Sequence, residues 1–255
     1  MKQKVKTLYS DATHKVLFFT DLVEGEGIPS NQLVVVDHGE AALFDPGGDL
    51  TFTPLSIELS KHIDMEASLK YVFASHQDPD IITSLPRWLV HSGCKIVTSA
   101  LWARFLPHLV SGFVSGKMNK SLTERLISLP DDGGKIPLGK TFIVAVPAHF
   151  LHSVGNFHFY DPVSRILFSG DVGAAMTPGE DDIPVEDMKT HIPLMEGFHK
   201  RYMANNKACR IWVNRVRSMD IEAIVPQHGK AFVGKDKVAE FLGWFENLQC
   251  GTDLM

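Results

Sequence analysis

Ser75-His76-Gln77-Asp78-Pro79-Asp80-Ile81 is the stretch on which the fold prediction rests. The apolar run at 69–74 before it predicts a strand, and the pattern at 83–92 after it predicts a helix. The histidine and the two aspartates therefore fall on a strand-to-helix loop, where a rigid scaffold commonly holds functional groups. Because alternate residues of an extended segment point the same way, the imidazole and both carboxylates are expected to lie together.

These three side chains have two interpretations. Imidazole and carboxylate are ordinary ligands of iron, zinc and manganese, which favours a metal site. The alternative is an acidic turn in which an aspartate caps the next helix and no metal is bound. Because short motifs often arise by chance, further ligand-bearing segments are needed to decide between them.

The composition is that of an ordinary globular protein. The 255 residues are 44% apolar and 22% charged, with a net charge of −5. No basic block is present, so nucleic acid is not an expected partner. No run of 18 apolar residues is present, so no membrane span is expected. Neither a repeat nor a linker divides the chain, and we predict one domain over residues 1–255.

The cysteines and the N-terminus favour a cytoplasmic location. Cys94, Cys209 and Cys250 are odd in number and far apart, which predicts neither a disulfide framework nor a four-thiolate zinc site. Residues 1–6 lead into polar sequence rather than an apolar segment, so no secretory signal is expected.

The remaining patterns predict about ten short strands and five or six helices. Strands are predicted at 15–19, 32–37, 41–44, 69–74, 95–98, 126–129, 141–146, 156–160, 165–169 and 223–225. Helices are predicted at 55–61, 83–92, 100–106, 190–205, 208–218 and 235–248. We expect a loop at 110–120 and an exposed acidic segment at 181–187. This order of elements favours an α+β fold with two packed sheets and helices outside.

Three further predicted strands end shortly before a candidate ligand. They precede His152, Asp171 and His228, respectively. A lone histidine is usually a surface or packing residue. Four strand ends that each carry His or Asp near Gly or Pro are much less expected by chance, and they indicate one metal site. The candidate ligands are His76, Asp78, Asp80, His152, Asp171 and His228.

Together, the four segments resemble the metallo-β-lactamase fold superfamily over Gln32 to Leu248. They are similar, in order, to its His-x-His-x-Asp-His loop, its Gly-His-Thr-Pro-Gly segment, its bridging aspartate and its last histidine. The corresponding residues here are 75–80, 151–155, 169–171 and 226–229. The resemblance implies a four-layer αββα sandwich. It also favours His152 over His149, because Ser-Val-Gly follows His152.

Two positions depart from the hydrolases of this superfamily. Asp78 and Ile81 both stand where those hydrolases usually have a histidine. A carboxylate at the first position is similar to the flavodiiron proteins, in which the same fold holds two irons. Only a few residues follow the last predicted helix and no glycine-rich flavin loop is present, so no flavin is expected. The chain therefore most resembles oxygen-binding diiron proteins that lack the flavin domain.

The resemblance implies two iron ions joined by a bridging hydroxide or oxide. It assigns His76, Asp78 and His152 to one metal, Asp80 and His228 to the other, and Asp171 to both. Three carboxylates and one hydroxide then balance two divalent ions. Asp78 in place of an imidazole shifts the preference toward iron or manganese, with zinc as a further option. Because Ile81 cannot coordinate, the second metal keeps an open position for dioxygen or nitric oxide.

Three functions follow. The first is a diiron protein that binds and reduces dioxygen or nitric oxide, with an external, rubredoxin-like electron donor. The second is a dinuclear-metal hydrolase of an ester, thioester or phosphodiester. The third is a sensor that binds dioxygen and signals through a receptor without turnover. Asp78 and Ile81 favour the first and third over the second. The resemblance is also compatible with a homodimer.

Overall fold

The computed structural model describes residues 4–23, 27–118 and 121–255, without the side chains of Ala67 and Phe113. The described residues form thirteen strands. The strands are β1 (Val5–Ser10), β2 (His14–Phe19), β3 (Gln32–Asp37), β4 (Glu40–Phe44), β5 (Leu69–Phe73), β6 (Lys95–Ser99), β7 (Leu126–Leu129), β8 (Gly134–Leu138), β9 (Thr141–Pro147), β10 (Phe157–Asp161), β11 (Ile166–Phe168), β12 (Ala223–Val225) and β13 (Phe232–Val233).

The same part of the chain forms nine α-helices and three short 3₁₀ helices. The α-helices are α1 (Asp49–Leu59), α2 (Met65–Ser68), α3 (Pro79–Ile82), α4 (Leu85–His91), α5 (Ala100–Ala103), α6 (Gly112–Ser115), α7 (Met188–Tyr202), α8 (Asn206–Arg217) and α9 (Lys235–Glu246). The 3₁₀ helices are Leu106–Leu109, Thr123–Arg125 and Gly251–Leu254.

The strands make two mixed sheets. The first sheet has the order β1-β2-β3-β4-β5-β6-β7, and the second has the order β13-β12-β11-β10-β9-β8. β4 pairs in parallel with β5, and β11 pairs in parallel with β12. Because parallel neighbours end at the same edge, the segments that follow these strands meet at one end of the sandwich.

Three apolar clusters define four layers. One lies between the sheets, where the ring of Phe73 is 4.9 Å from that of Phe44 and 4.7 Å from that of Phe159 across the sandwich. A second joins the first sheet to α1 and α4 and includes the buried Trp88. A third joins the second sheet to α7, α8 and α9 and includes the buried Trp212. The predicted αββα arrangement is confirmed. That residues 1–255 form one domain stays a prediction.

The helix predicted at 83–92 is confirmed as α4 (Leu85–His91), but the helical turn before it, α3 (Pro79–Ile82), was not predicted. α3 begins at Pro79, whose fixed φ suits the first turn of a helix. α4 begins separately at Leu85, and its second residue is Pro86. Asp80 therefore lies in the first turn of a helix and not on an extended loop. Alternation along the loop was thus the wrong reason for placing Asp80 beside the other ligands.

Other sequence predictions also need correction. The helix predicted at 55–61 begins six residues earlier, and that at 190–205 ends at Tyr202. The predicted loop at 110–120 contains α6, while residues 119–120 lie outside the described residues. In the segment at 181–187, which was predicted to be exposed, Asp181 and Val185 are buried. Three strands were not predicted. β1 is half-exposed, β8 contains Gly and Pro, and β13 has only two residues. Among the described residues, no helix has the length and apolar character needed to cross a membrane.

Candidate metal centre

The ends of β5, β9, β11 and β12 bring the six predicted side chains to one edge of the sandwich. Four of them form a compact group, in which the ligand atoms of His76, Asp78, His152 and Asp171 all lie within 4.8 Å of one another. Within it, His152 Nε2 is 2.8 Å from Asp78 Oδ2, and His76 Nε2 is 3.7 Å from Asp171 Oδ2. This group offers two imidazole nitrogens and two carboxylates to one ion.

The other two side chains form a second group beside the first. His228 Nε2 lies 3.2 Å from Asp80 Oδ2 and 3.6 Å from Asp171 Oδ1. The other oxygen of Asp171, Oδ2, lies 3.4 Å from His152 Nε2. The two oxygens of one buried carboxylate thus face different groups, an arrangement suited to a residue shared by two ions.

Two buried polar atoms that face other candidate ligands have no hydrogen-bond partner. They are His76 Nε2 and Asp171 Oδ1; the outer nitrogen of a third ligand residue, His152 Nδ1, is also buried and without a partner. The 3.7 Å between His76 Nε2 and either neighbouring carboxylate is too long for a hydrogen bond. A buried unpaired polar group costs about 1–3 kcal/mol, and most such groups in proteins are satisfied. Cations between these donors would satisfy both atoms, so the residues present fit a dinuclear metal centre.

The charges of the centre are strongly coupled. Burial alone would lower the pKa of His76, but the carboxylates of Asp171 and Asp78 raise it to about 9. Burial would also lower the pKa of His228, but the carboxylates of Asp80 and Asp171 raise it to about 9. The raised pKa values favour protonated His76 and His228 when no cation is bound. A metal ion would have to displace these protons, so its affinity would depend on pH.

The outer nitrogens of two imidazoles are held by hydrogen bonds. His76 Nδ1 lies 2.8 Å from Ser75 Oγ, which donates to Asp45 Oδ2 at 2.6 Å. His228 Nδ1 lies 2.7 Å from the carbonyl oxygen of Pro29. A proton on each Nδ1 leaves each Nε2 free to bind a cation, as is usual for metal-bound histidines. Asp45 follows β4 directly, so the strand-end rule that found the ligands could also have found this carboxylate.

His152 is presented by a tight turn. Its φ of +66° lies in the left-handed region, which is unfavourable for a residue with a Cβ atom. Asn156 Nδ2 supports the turn by donating to the carbonyl oxygen of Leu151 at 2.8 Å. Phe198 and Tyr202 of α7 cover the imidazole, with ring centroids at 5.5 and 5.2 Å. The proposed ligand is therefore held between a constrained backbone and an aromatic wall.

A cavity of about 420 Å³ opens above the carboxylates. Its described lining carries no lysine or arginine and is mostly apolar beyond the candidate ligands. The apolar part comprises Ile28, Pro79, Ala174, Ala175, Met176, Leu194, Phe198 and Tyr202. This lining suits a small uncharged ligand and offers no basic partner to a phosphodiester.

Three other histidines lie apart from the ligand groups. His149 Nε2 lies 2.8 Å from the carbonyl oxygen of Asp131. His199 Nε2 accepts a hydrogen bond from the Gly173 N–H at 2.9 Å. His158 is fully buried against Trp212, and burial lowers its pKa to about 3, so it is a packing residue.

The fold and the paired His/carboxylate groups define a metallo-β-lactamase-like protein with a candidate dinuclear centre. A family model described as "ODP family beta lactamase" matches residues 28–229, and the chain belongs to that family. A comparison with curated proteins returned no match.

Solved structures agree with this placement. The chain is 39% identical to the chemotaxis sensor ODP of T. denticola in its apo state, with a TM-score of 0.84, covering 98% of this chain and 96% of that one. It matches a structure described as the peroxy diiron species of chemotaxis sensor ODP with the same identity and TM-score, covering 98% of this chain and 97% of that one. Rubredoxin oxygen:oxidoreductase of Desulfovibrio gigas shares the fold at 17% identity and a TM-score of 0.75, over 94% of this chain and 61% of that chain.

Proposed function

We propose that this protein is a non-haem diiron protein that binds dioxygen at the centre formed by His76, Asp78, Asp80, His152, Asp171 and His228. The observation that carries the proposal is the shared carboxylate of Asp171, whose oxygens face two imidazole-bearing groups. The 39% identity to a sensor solved as a diiron species supports the choice of iron. A carboxylate at Asp78 supports it further, because hard oxygen donors favour iron over zinc.

The protein side chains have separate tasks. His76, Asp78 and His152 would hold one ion, Asp80 and His228 would hold the other, and Asp171 would join them. When bound, ferrous ions would supply the electrons that dioxygen accepts. The hydrogen bonds at Nδ1 of His76 and His228 keep each Nε2 directed inward. Phe198 and Tyr202 exclude water from the side of His152.

One position at the second group is left to a small ligand. Ile81 is fully buried in the cluster between the first sheet and its helices, so its side chain cannot serve as a further ligand. Three protein ligands at that group leave room for dioxygen or nitric oxide. The uncharged cavity wall above it supports a diatomic ligand over a phosphodiester substrate.

We assign the protein the role of a sensor in preference to that of a reductase. A relative that is 39% identical and covers 98% of this chain is described as a chemotaxis sensor. The described residues include no flavin domain, so sustained reduction would need an external donor such as a rubredoxin. A signalling receptor is then the expected partner. A homodimer and a cytoplasmic location remain part of the proposal, the latter supported by the odd number and wide spacing of the three cysteines in the sequence.

The first experiment is metal counting without oxygen. The protein is purified anaerobically from iron-replete cells, its metals are counted, and its absorption is recorded before and after air is admitted. We expect two irons per chain and a new visible charge-transfer band. A long-lived band supports a sensor, and a band that decays within one turnover and reforms with added donor supports a reductase.

Two variants make this experiment specific. His152→Ala removes a proposed ligand and should lower the iron content and abolish the band. His149→Ala, three residues away but outside the centre, should retain both. Two zinc ions with no colour change in wild-type protein would overturn the diiron proposal and favour a hydrolase.

A further inference from the structure

Two of the three cysteines lie together although 41 residues separate them in the sequence. Cys209 Sγ in α8 is 3.7 Å from Cys250 Sγ, which directly precedes the 3₁₀ helix Gly251–Leu254. Both side chains are fully buried. Cys94 lies in the other helical layer, beneath the first sheet. The fold therefore separates one thiol pair from one isolated thiol.

The contacts of the 3₁₀ helix hold the pair in register. The Thr252 N–H donates to the carbonyl oxygen of Ala204 at 2.9 Å, and Asp253 Oδ2 accepts from the N–H groups of Asn206 at 2.5 Å and Cys250 at 3.1 Å. Gly251 has φ +51°, and a Cβ atom there would collide with the carbonyl oxygen of Ala204. These contacts thus place Cys250 over the start of α8 without a covalent bond between the sulfurs.

We propose that Cys209 and Cys250 form a reversible modification site, a dithiol that hydroperoxides oxidise to an intrachain disulfide. A disulfide has an S–S length of about 2.0 Å, so the sulfurs need to approach by less than 2 Å. Thr252, Asp253 and Leu254 of the 3₁₀ helix are exposed, so a local opening of this short surface segment would admit a small oxidant.

The chemistry balances with hydrogen peroxide as the oxidant. The Cys250 thiol loses its proton, the thiolate attacks one peroxide oxygen, and the O–O bond breaks. The departing hydroxide takes up that proton and leaves as water, and the sulfur is now a sulfenic acid. The Cys209 thiol then attacks that sulfur, the S–S bond forms, and a second water leaves. Two thiols lose two protons and two electrons, and one peroxide is reduced to two waters. A hydrogen bond from Cys209 lowers the pKa of Cys250, although burial opposes it, which favours Cys250 as the attacking sulfur.

The disulfide would reinforce the wall of the metal cavity from behind. Met203 follows Tyr202 of the cavity wall and forms an isolated β-bridge with Leu151, the neighbour of His152. Ala204 carries the contact with the 3₁₀ helix. Cross-linking that helix to α8 therefore restrains the segment between the cavity wall and α8.

The test uses the full-length, metal-free protein, so it does not depend on the diiron proposal. Reduced protein is treated with a small excess of hydrogen peroxide, denatured under alkylation and analysed by intact mass and peptide mapping. We expect a loss of 2 Da, a cross-linked Cys209–Cys250 peptide and an alkylated Cys94. We also expect the melting temperature to rise by roughly 5–10 °C on oxidation and to return with reductant, because the bond closes a long loop.

Matched variants complete the test. Cys94→Ser should retain the 2 Da loss, and Cys250→Ser should abolish it. Even if a variant folds poorly, the peptide map of the wild-type chain shows whether Cys209 and Cys250 are cross-linked. A cross-link that includes Cys94, a dimer through either sulfur, or a mass gain from oxygen without any cross-link would overturn the proposal.

Discussion

Replacing Asp45 by Asn tests whether the hydrogen-bond chain behind His76 controls metal binding. In the wild-type protein, Asp45 Oδ1 accepts from the Ser75 N–H at 2.8 Å, and Oδ2 accepts from the Ser75 hydroxyl at 2.6 Å. The Ser75 oxygen can then accept the proton of His76 Nδ1, which lies 2.8 Å away. This direction of donation leaves His76 Nε2 free for an ion.

Asp45→Asn preserves the shape of the side chain and the hydrogen bond from the Ser75 N–H, but it reverses the hydrogen bond with the Ser75 hydroxyl. The amide donates to Ser75 Oγ, and the hydroxyl proton turns toward His76 Nδ1. The imidazole is then held with its proton on Nε2, where it blocks the ion. Losing one charge-assisted bond of this kind costs about 1.5–3 kcal/mol. The expected loss of metal affinity is therefore on the order of 10–100-fold, in line with other residues that orient metal ligands.

The assay is anaerobic competition between the protein and a chelator for ferrous ion at fixed pH, with circular dichroism to establish folding. Asp37→Asn is the matched control, because Asp37 is a buried aspartate that also accepts from a histidine and a backbone N–H, at the far end of the sandwich. A folded Asp45→Asn protein with an affinity within about twofold of the wild type would refute the reasoning. An equal loss in Asp37→Asn would refute it too.

Three further predictions concern the sharing of Asp171 by two metal ions, the packing of Trp212 and the pH dependence of stability at His14. Asp171→Ala should bind fewer than two metals per chain by elemental analysis, because both groups lose an oxygen. Trp212→Ala should lower the free energy of unfolding in urea by about 3–5 kcal/mol, whereas Ile211→Ala, next to it but exposed, should cost less than about 1 kcal/mol. Burial would lower the pKa of His14, but the carboxylates of Asp161 and Asp37 raise it above its usual value. The charged imidazole therefore stabilises the folded protein fully below about pH 6.5, and this stabilisation is lost as the pH rises through the raised pKa. The melting-temperature advantage of wild-type over His14→Gln should therefore shrink above that pH; an advantage that is flat or grows with pH would contradict this assignment.

The candidate ligands were predictable because of one local pattern. Buried strands read as continuous apolar runs, and the first polar residues after them sit at the edge of a sheet, so His152, Asp171 and His228 could be picked out from sequence. Asp45 also follows a strand directly, but a single carboxylate after a hairpin, with no histidine beside it, does not by itself indicate a metal site. Asp80 lies beside the other candidates, but the local reason that the sequence offered for this was incorrect, since Pro79 starts a helix there.

Elements without a strong apolar pattern could not be predicted from sequence. β13 has two residues and exists because it pairs with β12, and β1 is half-exposed along its length. Their structure depends on neighbours that are distant in sequence.

The sequence by itself determined the α+β class, the order of the main strands and the residue types available for a metal, because these depend on apolar periodicity and on the chemistry of individual side chains. Only the tertiary structure decided which oxygen of Asp171 faces which group, which nitrogen of His76 points inward, and that Cys209 meets Cys250. These features depend on distances between segments brought together by packing. Local sequence patterns carry no information about such distances.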